Sequence, residues 1–70
     1  MITNRLRLAR QVRSLKQIDL ARLLGVTEQS ISQWELGRGE PTVDRCLQIA
    51  KILNVAPYYI WPSRFNSITK

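Results

Sequence analysis

Apolar residues recur at helical spacing through most of the chain, and no segment alternates apolar and polar residues at period two over a useful length. Leu6, Ala9 and Arg10 share one face of a first helix that Asn4 or Thr3 can cap and that runs to about Arg13, with Leu8 and Val12 as a second stripe beside it. A second helix, two turns long, fits 17–24 with Ile18, Leu20, Ala21 and Leu24 inward; Gly25 follows, suited to positive φ. Thr27 is placed to cap a third helix to about Glu35, whose apolar positions are Ile31 and Trp34. Gly37 and Pro41 make 36–41 a loop, with Gly37 ending the helix before it. Thr42 caps a longer helix to about Asn54, expected to bury Val43, Cys46, Leu47, Ala50 and Leu53. Pro57 opens a short last helix that Pro62 stops. The expected fold is all-α, a compact bundle of about five short helices forming one domain over 1–62. The polar stretch 63–70 is expected to be a loose tail, apart from Phe65 and Ile68, which packing or dimerisation would order.

Composition narrows what such a bundle can do. The 70 residues include 11 Lys and Arg against 5 Asp and Glu, a net charge of +6 that favours an anionic partner, with nucleic acid first among them. A basic surface that only keeps the protein soluble is the plainer alternative. With no His, no second Cys beside Cys46, no paired carboxylates in a plausible cleft and no Gly-rich phosphate loop, neither enzyme chemistry nor a metal or other cofactor is expected. Cys46 reads as a small core residue. The chain has no long apolar run and no signal-peptide pattern, so a cytoplasmic location, at the nucleoid, is expected.

The second and third helices, separated by a tight Gly-containing turn, have the form of a helix-turn-helix at about 17–35, in which the first helix braces on phosphates and the second enters the major groove. The third helix has few apolar positions to bury and carries Glu28, Gln29, Ser30, Ser32 and Gln33 on its remaining faces. A glutamine amide there can pair bidentately with adenine.

The run 15–21 (LKQIDLA), then Leu24-Gly25-Val26-Thr27, then Ile31-Ser32-Gln33-Trp34-Glu35, Gly37-Arg38 and Pro41, resembles the phage repressor and Cro-type helix-turn-helix proteins, the Xre family, with a lambda-repressor-like fold. The resemblance covers about residues 4–60. In its polar residues the chain is similar to the 434-type repressors, and the stretch 57–65 is similar to the ending of Ner-like phage regulators. The resemblance implies that Gln29 and Gln33 read base edges, that Gln17 touches the DNA backbone and outer base pairs, and that Arg10 and Glu35 form a structural pair. Lys16 stands where the family usually has a capping Ser, Thr or Asn, so that helix end is either less well capped or sets the ammonium on a phosphate. Ser14 replaces a common glycine, and Glu28 replaces another glutamine, free to accept from cytosine N4 or to favour the helix dipole. Arg38 after Gly37 is a phosphate candidate, and Ser30 and Ser32 are softer contacts.

The function so implied is a sequence-specific regulator of transcription, a repressor or Cro-like protein of a phage or prophage, bound as a homodimer to double-stranded operator DNA and needing no small-molecule ligand. An antitoxin or restriction-modification controller with the same domain, or a protein-interaction adaptor using the motif as a scaffold, are the alternatives. Within the motif, Gln17 can instead cap its own helix and the outward glutamines can be ordinary solvent-facing residues. Trp34 and Trp61 read as anchors of the core and tail. Leu8, Val12 and Ile52 remain over once a core is assigned; with Tyr59, Phe65 and Ile68 they either lie under a returning tail or form a dimer contact.

Overall fold

A computed structural model describes residues 4–65 and folds them into five helices: α1 (Leu6–Val12), α2 (Gln17–Leu24), α3 (Glu28–Glu35), α4 (Val43–Leu53) and α5 (Pro57–Ile60). Thr3, Ile68 and the tail after Phe65 lie outside the described residues. No strand occurs among the described residues, in agreement with the all-α expectation.

Three of the helices, α1, α3 and α4, start where a side-chain oxygen takes an unpaired N–H. Asn4 Oδ1 accepts from Leu6 N at 2.9 Å, Thr27 from Ser30 N at 3.1 Å and Thr42 from Arg45 N at 3.2 Å, while α5 opens on Pro57, which has no N–H to satisfy. The ends share one device. After each of α1 to α4 a residue turns left-handed: Ser14, Gly25, Gly37 and Asn54, with φ between 57° and 75°. The next amide then bonds back to the helix, Leu15 to Arg10 O, Val26 to Ala21 O, Arg38 to Gln33 O and Val55 to Ala50 O, the pattern of a Schellman cap. At Gly25 a Cβ would meet nothing within 4 Å, so the demand for glycine there is conformational, not spatial.

The core comprises Leu6, Ala9, Leu20, Ala21, Leu24, Ile31, Cys46, Ile49, Leu53, Ile60 and Trp61, with Leu15, Val26, Trp34, Ile52, Val55 and Phe65 packed against it. Two expected core residues of α4 are solvent-facing instead: Val43 is 51% exposed and Leu47 46%. The buried stripe is Cys46, Ile49, Ala50 and Leu53, and Leu47 sits about 110° around the helix from its centre at 100° per residue. Val43 lies in the opening turn, ahead of that stripe. Ile52, unplaced from sequence, rests on the core, whereas Leu8 and Val12 are exposed.

The start of the tail is held, contrary to a loose reading from Ser63 onward. Arg64 Nη1 donates to Pro41 O at 2.6 Å, and its Nε lies 3.3 Å from Glu40. Phe65 packs tilted on Trp61 at 6.3 Å between centroids. This segment returns over the loop after α3 and the start of α4.

Three of the four left-handed caps are Gly or Asn, which adopt that conformation with little strain; Ser14 pays for its Cβ. Ser14→Gly should therefore raise stability by about 0.5–1 kcal/mol, after allowing for the freer unfolded chain, and shift Tm up by a few degrees. Thermal unfolding followed by circular dichroism checks this, and an unchanged or lower Tm would contradict it.

Candidate nucleic-acid interface

The helix-turn-helix consists of α2, the turn Gly25-Val26-Thr27 and α3. Gly25 and the Val26 amide close α2, Val26 packs on the core, and Thr27 in extended conformation opens α3. From behind, Arg45 of α4 donates through Nη1 to Leu24 O at 2.9 Å, tying the carbonyl end of α2 to the scaffold.

On α3 the buried residues are Ile31 and Glu35, four apart on one face. Sequence periodicity pairs Ile31 with Trp34, yet Trp34 is only partly buried; the second fully inward position is the carboxylate. Gln29 and Gln33 form the opposite face, also four apart. Glu28 and Gln29 are exposed, and Ser30, Ser32 and Gln33 are half-exposed. The Ser30 hydroxyl lies 2.9 Å from Thr27 Oγ1 and belongs to the N-terminal cap. Arg38 is exposed just past the Gly37 turn.

Glu35 is completely buried at the last turn of α3 and gathers partners from two other helices. Arg10 Nε bonds Oε2 and Arg10 Nη2 bonds Oε1 at 3.1 Å, a bidentate pair. Gln17 Nε2 donates to Oε1 at 3.0 Å, and Arg7 Nε approaches it at 3.4 Å. Arg10 also donates through Nη1 to Leu15 O at 2.7 Å. The expected Arg10–Glu35 pair is thus present, and Gln17, at the start of α2, is fixed by the same carboxylate. Burial pushes the Glu35 carboxyl upward, but the bonds from Arg10, Gln17 and Arg7 and the Arg10 charge outweigh it and hold the group below its ordinary value of 4.5.

Lys16 precedes α2 with its side chain exposed. Its N–H donates to Asp19 Oδ2 at 2.9 Å, so α2 has the reciprocal half of a capping box; an ammonium cannot accept and leaves the other half open.

Sequence reasoning missed Arg7, and of Asn4 it found the capping role but not the second contact. Arg7 precedes Arg10 by three residues, a spacing that puts both on the side of α1 facing Glu35. Asn4, besides capping α1, donates through Nδ2 to Trp34 O at 2.9 Å. It also missed how much of the basic charge is architectural. Arg5, Arg10, Arg13, Arg45 and Arg64 each donate to a backbone carbonyl. Among the described residues, the exposed Arg22 and Arg38 show no side-chain partner. No group of His, Cys, Asp and Glu able to hold a metal occurs among the described residues, and no helix there is long and apolar enough to cross a membrane.

An all-helical bundle presenting a polar third helix from a locked helix-turn-helix defines the class, and the comparisons agree. The helix-turn-helix family model matches residues 6–60, and the chain belongs to that family. It is 32% identical over 60 residues to Repressor protein C2 of Salmonella phage P22, covering 86% of this chain and 28% of that protein. It is 36% identical over 59 residues to the HTH-type transcriptional regulator DicA of Escherichia coli K12, covering 84% of this chain and 44% of the relative. The chain therefore spans less than half the length of these curated relatives. A crystal structure of a candidate DNA-binding protein from Bacteroides fragilis superposes with a TM-score of 0.78 at 28% identity, covering 86% of this chain and 97% of that one.

Arg10→Ala leaves a buried carboxylate without its main partner and should cost about 3–5 kcal/mol, enough to unfold most of a domain this small. Because the folded Glu35 value is lowered, its contribution is complete above the ordinary value of 4.5 and fades as pH falls through the folded one. Urea unfolding of the parent from pH 7 down to about pH 3, with Arg10→Ala at pH 7, reads both effects. Parent stability that stays flat across that window, or an Arg10→Ala chain as stable as the parent, would contradict the assignment.

Proposed function

We propose that this chain is a sequence-specific, double-stranded DNA-binding regulator of transcription of the phage-repressor type. The observation that carries the reading is the outward pair Gln29 and Gln33, standing opposite the buried Ile31 and Glu35 on a helix locked into the bundle. Such a helix can enter the major groove as a rigid unit, and a glutamine amide there pairs with adenine N6 and N7. The relatives, a phage repressor and an HTH-type transcriptional regulator, support it.

In this reading Gln29 and Gln33 read base edges. Glu28, in the exposed first turn, accepts from cytosine N4, while Ser32 and, more weakly, Ser30 make secondary contacts. Lys16 and Arg38 take phosphates at the two ends of the motif and set its register without reading sequence, while Gln17 touches the backbone and the outer base pairs. The domain extends over 1–62, with 63–70 as an appended segment, and acts in the cytoplasm. It binds as a homodimer, two third helices addressing the same side of the duplex, with no enzymatic step and no cofactor.

Selection of duplexes from a random pool by the parent tests this directly. The expected product is a sequence of two half-sites with centres about 34–36 Å apart, one helical turn. On that duplex Gln29→Ala and Gln33→Ala should each lose about 1–3 kcal/mol of discrimination against random DNA while keeping most non-specific affinity. Arg38→Ala should weaken both duplexes and reduce the salt slope by about one. An operator-to-random ratio unchanged in both glutamine variants would overturn base reading by α3.

A further inference from the structure

Glu35 has more cationic partners than its single charge requires. Arg10, buried beside it, engages both carboxylate oxygens and neutralises it. Arg7 adds a long contact through Nε to Oε1 alone, and its side chain stays 48% exposed. Its two Nη groups have no acceptor among the described residues, so most of the guanidinium fork is unused by the fold.

The place of that fork matters. Arg7 Nε and Gln17 Nε2 both donate to Oε1 of Glu35, so they can be no farther apart than the sum of those two bonds. Arg7, from the first turn of α1, therefore stands beside the first residue of α2, next to the exposed Lys16. Here Arg7 and Arg10 share the single charge of Glu35, leaving one positive charge unbalanced.

We propose that Arg7 is a phosphodiester contact, its Nη groups gripping a backbone phosphate beside the start of α2 while its Nε rests on Glu35. The assignment rests on the DNA-binding reading above and adds to it a residue from outside the helix-turn-helix. A guanidinium suits this role because its planar fork presents paired N–H groups to two phosphate oxygens. Glu35 aims the fork and, being already neutralised by Arg10, does not cancel its charge. A half-exposed ion pair stabilises a fold little, so folding alone gives weak reason for a second arginine at this carboxylate.

The test compares the parent with Arg7→Gln, which keeps a donor for Glu35 but removes the charge, and with Arg7→Lys, which keeps the charge. Affinity is measured on the parent-selected duplex and on a random duplex over a range of KCl concentrations, with thermal unfolding in parallel. Arg7→Gln should weaken both duplexes by the same factor, on the order of tenfold at low salt, and make the salt slope shallower by about 0.9, with Tm nearly unchanged. Arg7→Lys should retain the parental slope. An Arg7→Gln protein with parental slope and affinity overturns the assignment, and so does a loss confined to the selected duplex. An Arg7→Gln chain that no longer folds marks Arg7 as architecture for Glu35 and overturns it too. A parent that binds neither duplex would sink the regulator reading and this inference together, whereas a parent that binds with an indifferent Arg7→Gln leaves that reading standing.

Discussion

The Glu35 carboxylate fixes how the parts of this domain stand to one another. It closes α3, and its bonds run to Arg10 and Arg7 on α1 and to Gln17 on α2. A buried carboxylate is costly to desolvate, and the expense is met only when its oxygens are filled in good geometry. Any rotation of α3 that moves Glu35 by a bond length strands its charge, so the network is a constraint on orientation more than a source of stability. It holds Ile31 and Glu35 inward and thereby sends Gln29 and Gln33 outward. The side chains proposed to meet bases are thus positioned by a group on the far face of their own helix.

A second set of interactions works at the helix ends. Short helices expose a large share of unpaired carbonyls, and this fold satisfies them twice over. Left-handed residues after α1 to α4 turn the chain so that following amides bond back, and arginines from elsewhere add guanidinium donors. Arg13 reaches Leu53 O at 2.9 Å and Arg45 reaches Leu24 O at 2.9 Å, joining helices that are far apart in sequence. Arg5 donates to Tyr59 O at 2.8 Å and stacks over the Tyr59 ring, fastening α5 to the start of α1. A core this thin gains from such ties. The same ties explain why net charge alone overstates the cationic groups at liberty to meet a partner.

Much of this was legible in the sequence, for physical reasons. Caps and breakers are local, so Thr27, Thr42, Gly25, Gly37 and Pro57 marked the boundaries of α3, α4, α2 and α5 that the structure has. The Arg10–Glu35 pair came from a family resemblance and sits where it was expected. What did not show was anything set by tertiary rotation. Val43 and Leu47 look like core by spacing, but α4 turns Ile49 inward in their place. Trp34 is more apolar than Glu35, yet the carboxylate is deeper because donors from α1 and α2 converge on it. The partners of the arginines are mostly backbone carbonyls, which carry no sequence signature, so Arg13, Arg45 and Arg64 read only as charge. Ser14, at a left-handed cap, was visible as a departure from glycine, and its φ of 58° shows that the departure is conformational.

Side-chain amide signals of glutamine test the central claim, that the outward face of α3 meets the bases while Gln17 marks the edge of the contact. The chain holds Gln11 and Gln48 on exposed faces of α1 and α4 as internal controls beside Gln17, Gln29 and Gln33. In a nitrogen-15 NMR titration with a duplex selected by the protein, the NH2 pairs of Gln29 and Gln33 should shift most and that of Gln17 measurably, with Gln11 and Gln48 nearly still. Large shifts at Gln11 or Gln48 with Gln29 and Gln33 unmoved would place the DNA on another face and contradict the account.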